Sequence, residues 1–80
     1  MIVADLIGLV KEVQIAYKNE VMPPKNLDEL ERYYWCPILN IRPRVYDRKP
    51  TICAVIDHEI SPEQRYKFKM DYQKRIMKNK

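Results

Sequence analysis

Ile2-Val3-Ala4-Asp5-Leu6-Ile7-Gly8-Leu9-Val10-Lys11-Glu12-Val13-Gln14-Ile15-Ala16-Tyr17-Lys18-Asn19 carries the strongest periodic signal in the chain, and the way it is read decides the fold. Projected at about 100° per residue, Ile2, Leu6, Leu9, Val10, Val13, Ala16 and Tyr17 fall on one broad face. Asp5, Lys11, Glu12, Lys18 and Asn19 fall opposite. The pattern predicts an amphipathic helix over 2–19 whose apolar face supplies core.

The segments that follow are punctuated by proline. Val21-Met22-Pro23-Pro24-Lys25 reads as a stiff connection, because tandem proline cannot continue a helix. Asn26, with Glu29 three residues on, forms a variant capping box and predicts a short helix over 27–35. Leu27, Leu30 and Tyr34 would face inward, and Cys36-Pro37 ends the helix because a residue before proline avoids the α region. Residues 38–41, 45–46 and 51–56 are β-prone. Thr51-Ile52-Cys53-Ala54-Val55-Ile56 is the best strand, and its nearly continuous apolarity predicts cover on both faces. Pro43 places the 41–46 segment at a sheet edge or breaks it there, and Asp47-Arg48-Lys49-Pro50 is the expected turn. Ser61-Pro62-Glu63-Gln64 is a helix start, with Ser61 as cap and Pro62 at the first helical position, and the helix should run from 62 to about 77. The expected architecture is a single α+β domain over 1–80. It has an N-terminal amphipathic helix, a short second helix, a small antiparallel sheet of two or three strands and a basic C-terminal helix.

Length and composition narrow the function. Eighty residues make one domain, which buries about 60–65% of its unfolded surface and draws on the order of 3–5 kcal/mol from its core. A catalytic cleft would remove core that the chain can barely spare. The 46% hydrophobic content argues against disorder. A single glycine, Gly8, excludes a glycine-rich phosphate loop. Asp5 interrupts the apolar start, no basic region precedes it, and no apolar run is long enough to span a bilayer. These features predict a cytoplasmic protein, without a membrane segment, whose two cysteines are reduced.

The residues that carry catalysis or metal chemistry are sparse. Ser61 is the only serine and already serves as a cap; His58 is the only histidine. A Cys36–His58 or Cys53–His58 dyad has no supporting spacing, and Cys53 in an apolar strand reads as an inert thiol. Cys36, Cys53 and His58 with Asp57 or Glu59 could be counted as metal ligands, but the close ligand pairs of structural zinc sites are missing. The expectation is no enzyme, no catalytic residue, no metal, no cofactor and no small-molecule substrate.

Charge and aromatic placement carry the remaining signal. The net charge is +4, yet residues 1–61 sum to −1 and residues 62–80 to +5, through Arg65, Lys67, Lys69, Lys74, Arg75, Lys78 and Lys80. On the last helix Tyr66, Met70 and Met77 form one apolar stripe and Phe68, Tyr72 and Ile76 another; a helix with two stripes has apolar surface to spare. Tyr33-Tyr34-Trp35 cannot all face one core. The first functional expectation is a small regulator, adaptor or inhibitor that binds a protein partner, or a second copy, through Tyr33, Trp35, Phe68, Tyr72 and Ile76. Its size and style are those of accessory proteins of phages and mobile elements, an association rather than a motif. The alternative is nucleic-acid binding through Arg42, Arg44, Arg48 and Lys49, with Tyr46 between them, and through Lys67, Lys74, Arg75 and Lys78. Against the alternative, Asp71 sits among the helix cations and no helix-turn-helix signature is present.

Overall fold

Val13, Ile15 and Tyr17 alternate with Glu12, Gln14 and Ala16, and this period of two is the one the chain adopts: Glu12–Tyr17 is a strand, β1. The computed structural model describes residues 1–78, so Lys80 lies outside the described residues. The expected helix over 2–19 is overturned. Only Val3–Leu6 is helical, as a single 3₁₀ turn. Gly8 then takes φ +89°, a left-handed value that ends the helical path. Beyond it Val13 and Ile15 are fully buried on one strand face.

A two-residue turn at Lys18-Asn19 sends the chain back along β1. Glu20–Val21 (β2) pairs with Ala16 and Tyr17, and Lys25–Asn26 (β3) pairs with Glu12 and Val13, both antiparallel. Pro23 and Pro24 divide what would otherwise be one strand, since proline donates no ladder hydrogen bond. The expected helix over 27–35 is a 3₁₀ segment, Leu27–Tyr33, kinked at Leu30, and Asn26 makes no side-chain cap. A long hairpin follows, Ile38–Tyr46 (β4) and Lys49–Ile56 (β5). The final helix, Pro62–Lys78 (α1), starts at its cap: Gln64 N–H donates to Ser61 Oγ at 3.2 Å.

The sheet is therefore mixed and five-stranded, not an antiparallel pair or triplet. Its order is β2-β1-β5-β4, with β3 alongside β2 on the outer edge of β1. β1 and β5 are parallel in the centre, Gln14 opposite Cys53 and Ala16 opposite Val55. The two 3₁₀ segments cover one sheet face. Val3, Leu6, Leu27, Leu30 and Cys36 pack there on Val13, Ile15, Ala54 and Ile56. Hydrogen bonds from Val3 N–H to Cys36 O (3.1 Å) and from Ile38 N–H to Met1 O (2.7 Å) tie the N-terminus against the start of β4. α1 contributes no buried residue. It is held by Trp35 against Tyr72 (centroids 5.7 Å apart) and by Arg75 Nη2 on Asp5 Oδ1 (3.1 Å).

Candidate functional site

The β4–β5 hairpin outruns the rest of the sheet. β1 pairs with β5 only from Cys53 to Val55, so residues 43–46 and 49–52 have no strand neighbour except each other. Every residue from Leu39 to Pro50 is exposed. The tip is a two-residue turn with Asp47 at φ 49° and Arg48 at φ 63°, the pair of left-handed residues whose twist suits a tight hairpin.

Register assigns the faces of this arm. Ile41, Pro43 and Val45 share one face with Ile52 and Pro50, and that face continues the core side of the sheet through Ala54. Arg42, Arg44 and Tyr46 share the other with Thr51 and Lys49. The first is an apolar stripe in which Ile41 is 42% and Val45 75% exposed. The second is basic, and among the described residues none of Arg42, Arg44, Arg48 or Lys49 has a carboxylate within ion-pair reach.

The edges of the arm are closed. In a two-residue hairpin the residues flanking the turn form a hydrogen-bonded pair, and the pairs then alternate. Tyr46/Lys49, Arg44/Thr51 and Arg42/Cys53 are the bonded pairs, so Pro43/Ile52 and Val45/Pro50 are not. The imide nitrogen of Pro43 thus sits on the outer edge and that of Pro50 on the inner edge. Each edge lacks a donor at its middle, which blocks strand addition while leaving the internal ladder intact. A bulge at Leu39, between the Ile38/Ile56 and Asn40/Val55 pairs, further disrupts the outer edge. Beside the inner edge a cleft of about 500 Å³ separates the arm from Val10, Lys11, Glu12 and Pro24.

The other sequence candidates are dispersed. Tyr72 and Trp35 meet in the ring contact that secures α1, Lys69 Nζ lies 6.0 Å from the Trp35 ring, and Arg75 is committed to Asp5. Phe68 is half-buried and lines a depression with Met1, Ile2 and Asp5; Ile76 is exposed. Tyr33 packs on Tyr17, centroids 5.9 Å apart. Lys67, Lys74 and Lys78 are exposed along α1, an element distinct from the arm. The structure thus brings Arg42 and Arg44 together with Tyr46, and it joins Trp35 to Tyr72. It does not assemble one surface from all the aromatic candidates. Ile41, Val45 and Pro50 were missed as site residues, although the alternation Ile41-Arg42-Pro43-Arg44-Val45 was there to be read as a two-faced strand.

Cys36 and Cys53 are buried free thiols. Cys53 points to the opposite face of β5 from Ala54, away from the core cluster that holds Cys36. Burial pushes the Cys36 thiol up, with Asp57 adding to the rise and Arg65 opposing it, so the nucleophilic thiolate is suppressed. Among the described residues no three His, Cys, Asp or Glu side chains come together as a metal set. No helix of the described residues is long and apolar enough to cross a membrane.

Comparison with protein-family models, curated proteins and solved structures finds no significant match to the chain.

Proposed function

We propose that the chain is a non-catalytic binding module that engages a protein partner through the apolar face of the β4–β5 arm. One observation carries this reading: Ile41 and Val45 stand exposed on one face of a ladder whose two edges are each blocked by proline. Burying the largely exposed Val45 in a partner is worth up to roughly 1.5–3 kcal/mol, and Ile41, already more than half buried, adds less. The partner is expected to present an apolar groove for that face and acidic groups at its rim for Arg42 and Arg44. The role of regulator, adaptor or inhibitor follows from small size and the scarcity of catalytic groups, and stands as part of the proposal.

The second reading is nucleic-acid binding, favoured by the opposite face. Arg42, Arg44 and Tyr46 alternate with residues of the apolar face, and Arg48 and Lys49 extend the positive surface to the tip. A two-stranded ribbon fits a major groove of about 12 Å. This reading leaves the apolar face unused, which is why it stands second.

Paired variants separate the two. Ile41→Glu with Val45→Glu and, separately, Arg42→Glu with Arg44→Glu replace exposed residues, so both proteins should keep their thermal unfolding midpoint within a few degrees. Fluorescence anisotropy with mixed-sequence DNA and RNA at about 50 and 200 mM salt measures phosphate-driven binding. The proposal expects no salt-sensitive binding, together with a protein complex from source-cell extract that the Ile41/Val45 variant loses. Micromolar, salt-sensitive binding abolished by the Arg42/Arg44 variant would install the second reading instead.

A further inference from the structure

β5 runs from the arm at Lys49 to Ile56, and a second concavity lies at its far end, outside the carboxyl ends of the parallel strands β1 and β5. Tyr17, Arg32, Tyr33, Cys36, His58 and Arg65 line it, enclosing about 260 Å³. Tyr17 ends β1, His58 lies two residues past β5, and Arg65 stands in the first turns of α1. Open sheets with parallel strands commonly bind ligands at this end.

The lining is uniform in chemistry. It has two guanidiniums, an imidazole, two phenols and a thiol, and no carboxylate. His58 Nε2 and Arg65 Nε are both buried without a hydrogen-bond partner among the described residues. A guanidinium Nε–H can only donate, so a group that satisfies Arg65 must be an acceptor. The aromatic rings hold the donors in place: Tyr17 lies 5.0 Å from the His58 ring, and Arg32 Cζ lies 5.6 Å from the Tyr33 centroid.

The nearby carboxylates stay at the rim. Glu59 Oε1 is 3.8 Å from His58 Nε2, beyond hydrogen-bond length, and is shared with Lys18 Nζ at 3.6 Å. Asp57 Oδ1 accepts the Glu59 N–H, and Glu20 is engaged with the Tyr17 hydroxyl. None of the three lines the concavity. Its volume falls below the 300–1,000 Å³ or so of sites for drug-sized ligands, which restricts the occupant to a small group.

We propose that this concavity binds a phosphate-type oxyanion, either inorganic phosphate or the phosphomonoester of a larger ligand, held by Arg65, Arg32 and His58. Guanidinium forks match the oxygens of such an anion, and a small rotation of the Arg65 and His58 side chains, whose Nε and Nε2 atoms are occluded and unpartnered among the described residues, would give those nitrogens their acceptor. The site is separate from the arm and does not depend on how the arm is used.

The Nε–Hε resonances of Arg65 and Arg32 report directly on occupancy. Full-length protein is titrated with inorganic phosphate, and in parallel with phenyl phosphate, acetate and chloride at fixed pH and ionic strength. The expected result is a saturable shift of the Arg65 signal with phosphate, at an affinity at least about tenfold above that for acetate. Arg65→Gln and the exposed Arg32→Gln should each weaken binding about tenfold or more, while Lys74→Gln leaves it unchanged. Should Arg65→Gln fail to fold, Arg32→Gln alone decides. Tighter binding of phenyl phosphate supports the site and assigns it to a phosphomonoester; tighter binding of inorganic phosphate supports it and assigns the free ion. A non-saturating shift, an equal effect of chloride, or full affinity in Arg32→Gln would overturn the proposal.

Discussion

Arg48 holds the left-handed conformation at the arm's tip, the position at which a two-residue turn with both residues left-handed favours glycine. An L-residue with a Cβ at φ 63° is strained relative to glycine. Arg48→Gly should therefore stabilise the free protein by about 0.5–1 kcal/mol in urea unfolding. Unchanged or lower stability would contradict the assigned turn. Tyr17 makes a second residue-level prediction. Hydrogen bonding to the Glu20 carboxylate, then Tyr33 and burial, push its phenol from 10.0 up to about 12. A folded value above the unfolded one favours the neutral phenol in the native state. The stabilisation is thus complete below the unfolded value and is lost as pH rises from about 10 through 12. Ultraviolet titration of the native protein should show a late-ionising tyrosine that disappears in Tyr17→Phe. A titration that ends without a late component would contradict the Tyr17–Glu20 contact.

Elements show why part of the fold could be read from sequence and part could not. Val13, Ala16 and Tyr17 fit a helical face, while Val13, Ile15 and Tyr17 fit a strand face. Both periods run through the same six residues, and the helical period dominates because it extends back through Leu9, Leu6 and Ile2. Those earlier residues are core in the structure only in part: Ile2 and Leu6 are buried, but Leu9 is exposed. What decides for the strand is a partner distant in sequence, since β1 pairs in parallel with residues 53–55. No local pattern reveals such a pairing. α1, by contrast, is set by local chemistry, and its cap and first-turn proline mark its start correctly. The two elements should respond differently to truncation. Ile15→Ala removes a fully buried side chain and should cost about 2–4 kcal/mol, most of the stability of a domain this small. Tyr72→Ala, at a half-exposed ring contact on a helix with no buried residue, should cost about 1 kcal/mol and leave the sheet folded. Equal costs for the two in denaturant unfolding would contradict a core centred on β1 with α1 outside it.

In the whole molecule one small core lies along β5, with the hairpin arm at one end of that strand and the concavity lined by Arg65 and His58 at the other. The core lies between the 3₁₀ segments and the sheet. On β5 its margin is Ile52, and beyond that residue the hairpin continues without a neighbouring strand. The basic half of this arm was legible, since Arg42, Arg44, Arg48 and Lys49 cluster in sequence. Its apolar face was present in the alternation Ile41-Arg42-Pro43-Arg44-Val45, but that this face stays uncovered was not legible, because it depends on β1 pairing only with residues 53–55. Pro43 could be placed at an edge from sequence alone, but the matching role of Pro50 on the other edge required the hairpin.

Site-specific photo-crosslinking in source cells decides whether the arm is the partner-binding element. A photoreactive residue is placed at Val45, on the apolar face, and in a control at Val21, which is also exposed but lies on β2. Engagement through the arm predicts a discrete protein adduct from position 45 that is absent from position 21. Adducts of equal yield from both positions, or none from position 45, would contradict it.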